Sequence, residues 1–467
     1  AEVRAMRAWT YLGMTMTFGK VPLITEVLDY NSPNIPRDEV SVIRDFIMKE
    51  LTEAAAILPE KYAGGYPNEK GRITKYACLS LKARAALYFG DYALAESTAK
   101  EVMDKGGFSL FKISSLSDAQ KKEAEEMSLY IDFAEKGIDK DEFVKGMFNY
   151  EALWHTENAN PDNPEYIMTR QYAASSWDYQ DMTRYTSMRP NQLGGWSSVT
   201  PTQNLVDAYW GVDGHSVPQL PTPEERAKAY NQIKADLDAY QKPEGEAKFI
   251  AFCQEKIKNG TLKDYKYIQE FRNRDSRMYV SILMPFKSWY ESNYGDKFVY
   301  EWIKNGNNES KTGFNFRKML SLENDANGDG QATGDYPCIR YAEILLIYAE
   351  AHTQTTGYDA ATEAALNQLR DRCGMPDVPS GLSKEEGLKL IQNERRIELA
   401  GEGFRGDDMT RYSDDYWKEH MNNVPIMTPD GDTELTMKWS SRMRLKPIPQ
   451  TAIDLNPLLA GDQNPGY

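Results

Sequence analysis

The chain has 467 residues, 41% of them hydrophobic, and its 55 Lys+Arg against 70 Asp+Glu leave a net charge of −15. With no basic stripe to neutralise phosphates, nucleic acid is excluded as a natural partner, and an anionic membrane surface would repel the protein. No apolar run approaches the ~20 residues of a membrane span, and although single cores rarely grow much beyond about 300 residues, no linker divides the chain.

The first hundred residues are helical by period. Val40, Ile43, Ile47, Leu51, Ala54 and Leu58 step by three and four, which lays them on one face of a helix stopped by Pro59. Tyr76, Leu79, Ala83 and Ala86 line a second helix, Gly90-Asp91-Tyr92 turns the chain, and Ala95, Ala99 and Val102 line a third before Gly106-Gly107. A helical hairpin of about 34 residues with Gly-x-Tyr-x-x-Ala at its turn resembles a tetratricopeptide repeat. A similar hairpin is predicted from Tyr341 to Arg372, with Ile344, Leu345 and Tyr348 on one helix, Gly357-Tyr358 at the turn, and Ala361, Ala365 and Leu369 on the other. Such hairpins cannot bury their faces alone, so the two ends of the chain are expected to meet in space.

Between them, eight of the 23 prolines fall between Pro161 and Pro243, and six of the nine tryptophans between Trp154 and Trp302. Loops, short helices and a small hairpin are expected there. The fold class is therefore mainly α, with tetratricopeptide-like hairpins packed around an irregular, loop-rich middle. One compact domain over 1–467 is expected: scaffold at 1–111 and 336–412, a ligand-binding middle at 112–335, and a C-terminal segment at 413–467.

The densest aromatic stretch runs from Trp154 to Trp210. A Trp or Tyr ring can stack on the C–H face of a pyranose while Asn, Gln and Asp pair its hydroxyls, so the stretch suits a glycan. Trp154, Tyr209 and Trp210 sit among apolar neighbours and read as core. Trp177 and Trp196 lie in polar, flexible contexts, Ser175-Ser176-Trp177-Asp178 and Gly194-Gly195-Trp196-Ser197. These two, with Tyr179, Tyr185 and Trp289, are the stacking candidates, and Asn191 is a polar partner. Trp289-Tyr290 is expected on an exposed turn, where it could equally touch a protein partner.

Asp325-x-Asn327-x-Asp329-Gly330-Gln331 matches the first half of an EF-hand loop, which nominates Asp325, Asn327, Asp329 and Gln331 as calcium ligands. Tyr336 stands where the bidentate Glu is expected, and a solvated Asn-Gly/Asp-Gly turn is the commoner use of such residues. No other cofactor is suggested.

The run Glu394 to Arg405 crowds acids and bases, but Glu394 and Glu398 are four apart, and Asp408 and Arg411 follow at similar intervals. That is the spacing of structural ion pairs rather than of acid–base chemistry. The four histidines are scattered, with no zinc spacing, phosphate loop or nucleophile elbow. Cys78, Cys253, Cys338 and Cys373 are far apart and read as thiols rather than disulfides.

Several segments in fixed order carry a family resemblance. They are Glu2 to Ala8 with Phe18-Gly19-Lys20-Val21-Pro22-Leu23; Gly71 to Lys75; Pro201 to Ala208 with Asp213-Gly214; Arg274 to Met278; Arg340 to Ala351; Glu394 to Arg405; and Lys446 to Pro449 leading to Gln463 to Tyr467. Together they resemble the SusD/RagB family of outer-membrane nutrient-binding lipoproteins. The resemblance implies non-catalytic capture of a glycan at the cell surface and its delivery to a SusC-like TonB-dependent transporter, with the repeat hairpins facing that partner. Some relatives take peptides instead. Relatives also carry a signal, a lipidated cysteine and further residues before the point where this chain opens. An N-terminal part is thus expected to be missing, and with it the lipid that attaches such proteins to the membrane. Two other readings stay open: a helical glycoside hydrolase whose carboxylates are hidden among the 70 acids, and a plain tetratricopeptide scaffold for a peptide or protein.

Overall fold

A computed structural model of the chain describes residues 1–29, 31–62, 69, 71–155, 157–172, 191–290, 298–320 and 334–467. Its first four helices are α1 (Glu2–Phe18), α2 (Val40–Ile57), α3 (Lys75–Tyr88) and α4 (Tyr92–Lys105). The Thr74 side chain caps α3 and the Asp91 side chain caps α4, each accepting a first-turn backbone N–H, so the turn residues that break one helix start the next. Each helix packs on its successor, and α4 then packs on a distant one, α11 (Tyr341–Thr355). That helix continues into α12 (Ala360–Arg372) and α13 (Lys384–Glu398), whose Ser383/Glu386 capping box fixes its start. The ends of the chain therefore meet as their unburied hairpin faces required. α3 and α11 are buried on nearly all sides, which explains their weak sidedness in sequence. Arg84 of α3 joins them, donating to Glu343 at 2.7 and 2.6 Å and to the Cys338 carbonyl at 2.8 Å.

The described part of the middle holds longer helices than the sequence suggests. Between α4 and α11 lie α5 (Asp118–Glu126), α6 (Lys140–Ala152), α7 (Gln203–Ala208), α8 (Pro223–Ala239), α9 (Lys248–Lys258) and α10 (Ser276–Ser281). They enclose a second core in which Tyr230, Tyr267, Phe286 and Trp302 meet edge to face or tilted at 5.1–6.3 Å. The broken periodicity comes from aromatic residues packing between elements rather than along one helix face. Trp210 packs against both cores. Glycines allow a close approach between the two halves: a Cβ on Gly146 of α6 would lie 2.1 Å from the Gly374 nitrogen, just past α12.

Four two-stranded ribbons complete the described fold. β1 (Tyr166–Arg170) pairs antiparallel with β6 (Tyr336–Arg340), Tyr166 opposite Arg340 and Arg170 opposite Tyr336. The short ribbons are β2 (Ile282–Leu283) with β5 (Asn315–Phe316), and β3 (Ser288–Trp289) with β4 (Phe298–Val299). Near the C-terminus β7 (Pro425–Met427) pairs with β8 (Thr433–Thr436), following α14 (Phe404–Arg411) and α15 (Asp414–Met421).

The charged run at the end of α13 is framework, as its spacing predicts, but on a larger scale. Glu398 is fully buried and meets Arg372, Arg340 at 2.8 Å and Arg277 at 2.9 Å. Arg277 also holds Asp275 at 2.8 Å and Glu394 at 2.7 Å; Arg370 holds Glu394 at 2.7 Å; Arg340 and Arg372 share Glu165. Lys318 reaches Glu402 at 2.7 Å and the carbonyls of Glu398 and Ala400. Arg277, Arg340, Arg370, Arg372 and Lys318 balance Asp275, Glu165, Glu394, Glu398 and Glu402, so the buried cluster is neutral and multiply hydrogen-bonded, the condition under which buried charge is tolerated. Burial opposes the Glu398 carboxylate, yet its surrounding cations outweigh that and hold its pKa well below the usual range. Burial dominates for Lys318, whose ammonium is pushed down to about 8. Tyr150 covers Arg372 and Lys318, its ring 4.8 and 5.1 Å from their charges. The four cysteines are free thiols, three of them buried.

Candidate functional site

Two segments that the sequence singles out leave the scaffold at one place. The aromatic stretch departs after β1, and the Asp/Asn-rich stretch returns into β6. Because Arg170 lies opposite Tyr336, both are rooted at the same end of one ribbon. Asp335 ties that end together, accepting from the Tyr172 backbone at 3.2 Å and the Thr169 hydroxyl at 3.4 Å. Burial pushes its carboxyl up to about 6. Trp177, Tyr179 and Tyr185 lie outside the described residues, as do Asp325, Asn327, Asp329 and Gln331. Among the described residues no cluster of His, Cys, Asp and Glu is arranged to hold a metal ion.

The chain re-enters at Asn191, exposed at the start of a single turn, Asn191–Leu193. From there exposure alternates: Leu193, Gly195 and Ser197 point inward while Gly194, Trp196 and Ser198 point out. Positive φ at Gly194 (78°) and Ser197 (47°) bends the backbone on both sides of the tryptophan. Trp196 thus stands with 51% of its surface exposed on a loop anchored before and after it. The loop is also fastened from outside: Gln192 Oε1 accepts the Glu301 backbone N–H at 3.0 Å, and the Thr312 hydroxyl donates to the Pro201 carbonyl at 2.6 Å. Trp302, next to Glu301, is buried, its indole N–H donating to the Ser310 carbonyl. An aromatic face held on a rigid base can stack on a flat apolar surface with little ordering cost.

Trp289 does not belong to that surface. The expected exposed turn is instead a β3 position paired with β4, and the indole is 1% exposed. Its ring lies under the Arg317 guanidinium, 4.9 Å from its centre, and meets Phe298 edge to face. The polar neighbours that suggested exposure, Lys287 and Ser288, are themselves buried; the Lys287 ammonium is met by Glu123 of α5 at 2.6 Å. Trp154 and Tyr209 are core, as read from sequence.

A search among known families bears directly on this architecture. The model of the SusD family matches residues 164–467. The chain belongs to the SusD family. SusD-like protein P38 of Formosa agariphila is 22% identical over 425 residues, which cover 88% of this chain and 65% of that protein. SusD-like protein P2 of the same organism is 29% identical over 148 residues, covering 30% of this chain and 28% of that protein. The chain therefore spans less than two thirds of either relative. Among solved structures, a SusD-like protein from Bacteroides fragilis aligns with a TM-score of 0.70 at 24% identity, covering 100% of this chain and 79% of its own. A SusD-like carbohydrate binding protein from that organism gives 0.65 at 21%, covering 98% and 79%. A laminarin binding SusD-like protein gives 0.57 at 19%, covering 100% and 78%. These likenesses place the mainly helical fold within the SusD family, as the motif order implies.

Sequence reasoning missed a cleft beside α7, where Gln203, Asp207 and Arg226 converge beneath the β7–β8 hairpin. Its wall comes from a segment more than two hundred residues away, so no local pattern could have announced it.

Proposed function

We propose that the chain is a non-catalytic glycan-binding protein that captures an oligo- or polysaccharide at the outer face of an outer membrane and passes it to a SusC-like TonB-dependent transporter. The observation that carries this reading is Trp196, half-exposed on a loop braced by Glu301 and Thr312. Membership of the SusD family supports the location, the lipid anchor and the transporter partner; two of the aligned structures are of proteins described as binding carbohydrate or laminarin. In this reading Trp177, Tyr179 and Tyr185 extend the stacking surface and Asn191 pairs sugar hydroxyls. Calcium held by Asp325, Asn327, Asp329 and Gln331 belongs to the same proposal, and equilibrium dialysis with Asp329→Ala tests it.

The deciding experiment is retention of the purified chain on a panel of soluble polysaccharides, with each mixture assayed for new reducing ends. Saturable retention without cleavage, reduced by Trp196→Ala, is the expected result. Cleavage would replace the reading with a glycosidase, and retention indifferent to Trp196→Ala would move the site elsewhere.

A further inference from the structure

The cleft beside α7 is about 210 Å³ in volume and lies between that helix, the start of α8 and the strand entering the C-terminal hairpin. Apolar groups including Pro221, Pro223, Phe314 and Ile426 make most of its wall, and a few polar side chains converge at one side. This mixture is the usual make-up of a small-molecule site. That volume is below the roughly 300–1,000 Å³ of pockets for drug-sized ligands, which limits the cleft to a small molecule on the scale of one sugar ring.

The polar side is built and only partly used. Arg226 donates from Nε to both oxygens of Glu270, at 2.7 and 2.9 Å. Gln203 donates to Asp207 Oδ1 at 2.7 Å and to Glu270 at 2.9 Å. Asp207 Oδ2 accepts no hydrogen bond from the described residues. One terminal nitrogen of Arg226 lies 2.7 Å from Glu270 Oε1 and 3.6 Å from Asp207 Oδ1, whereas the buried Tyr267 hydroxyl has no hydrogen-bond partner among the described residues. Tyr267 is 1% exposed, its ring held edge to face by Tyr230 at 5.1 Å and Phe271 at 5.3 Å. An unpaired buried hydroxyl is costly, and proteins leave few of them.

The opposite wall is clamped in place. Lys304 holds Asp430 and Asp432 at 2.6 Å each, and Gly313 (φ 80°) lets Pro429 approach so closely that a Cβ would lie 2.1 Å from the proline ring. The cleft is thus a feature of the folded framework rather than of a loose hairpin.

Charge narrows the ligand class. The Asp207 and Glu270 carboxylates, raised by burial, already interact with the guanidinium groups of Arg226 and Arg274, so this side of the cleft carries its own counter-charges and suits a neutral ligand. A cation would compete with Arg226 for the same carboxylates. We propose that this cleft is a second carbohydrate site, taking one neutral pyranose whose C–H face lies on Phe314 and the prolines and whose hydroxyls pair with Asp207, Arg226 and Tyr267. The inference rests on the cleft's own chemistry and does not need Trp196 to bind anything.

The test is ligand-observed NMR titration of the intact chain with the methyl glycosides of glucose, galactose and mannose, with a methyl glucuronide and glucosamine as charged controls. At least one neutral glycoside is expected to bind saturably. Tyr267→Phe keeps the packing and is expected to weaken binding about tenfold, the worth of one hydrogen bond. Ile426→Trp, made at a half-buried rim position, is expected to abolish it by filling the cleft, and Trp196→Ala to leave it unchanged. The proposal is overturned if no neutral glycoside binds, if a charged control binds better, if Ile426→Trp still binds, or if affinity falls with Trp196→Ala alone. Should Ile426→Trp fail to fold, an unchanged affinity in Tyr267→Phe overturns the proposed contact by itself.

Discussion

Arg340 and Glu402 form a two-pronged ion pair in the protein interior, with Nε to Oε2 at 2.7 Å and a terminal nitrogen to Oε1 at 2.6 Å. Arg340 ends β6 and Glu402 follows α13, so the pair fastens the β1–β6 ribbon to the repeat scaffold. Removing one partner strands a buried charge, which costs about 3–5 kcal/mol, whereas removing both for apolar groups can be nearly neutral. Arg340→Met alone is therefore expected to lower stability by roughly that amount, and Arg340→Met with Glu402→Leu to recover part of it by restoring the cluster's neutrality, the remainder being the carboxylate that Lys318 loses. Urea unfolding midpoints of the two singles and the double decide it. Additive losses would mean the two side chains do not act as a pair.

Gly146 is expected to be intolerant for a different reason. A methyl group there meets the backbone of Cys373 and Gly374 at 2.1–2.4 Å, and backbone cannot rotate away as a side chain can. Gly146→Ala gains helix propensity of about 1 kcal/mol, yet overpacking costs about 1–3 kcal/mol or more. A net loss of thermal stability is expected, read as a lowered melting temperature. A stabilised variant would show that α6 and the end of α12 have room to separate.

Trp289 separates packing from binding. Because its indole is buried under Arg317, Trp289→Ala should cost about 3–5 kcal/mol, while Trp289→Phe, which keeps an aromatic ring there, should cost much less and leave polysaccharide retention intact. Chemical denaturation of both variants, with a binding assay on the Phe variant, checks this. Lost retention in a well-folded Phe variant would return Trp289 to the ligand surface.

Legibility followed contact distance along the chain. The apolar face from Val40 to Leu58 is written in local spacing and appears as α2, and both hairpins appear where their alanines and turn glycines place them. Glu394 and Glu398 announced an ion network by their spacing, but Arg277, Arg340 and Lys318, which neutralise them, come from other elements and carry no local signature. Trp289 was misread because Lys287 beside it looks solvated, and only the fold supplies Glu123 to bury that charge. Trp196 was legible because its own glycines and serines set its exposure, whereas the cleft at Asp207 and Arg226 exists only once the C-terminal hairpin closes over α7.

His352 should make the contact between the two hairpins sensitive to pH. Its Nδ1 meets Glu96 of α4 at 2.8 Å, its Nε2 meets Asp359, the cap of α12, at 3.1 Å, and its ring stacks on Tyr348 of its own helix. Burial pulls the imidazole's pKa down, but the two carboxylates outweigh it and raise it above its ordinary 6.5. A raised histidine contributes stability that is fully present below the unfolded pKa and is lost as pH rises through the folded one. Glu96 and Asp359 are shifted the other way, below 4.5 and 3.8, so their share is lost only in stronger acid. The stabilising window therefore runs from about pH 4.5 to 6.5 and closes above it. Melting temperatures of the intact chain and His352→Gln are expected to differ most within that window and to converge toward pH 9. A gap that stays constant from pH 5 to 9 would mean that the imidazole is not protonated between the two carboxylates.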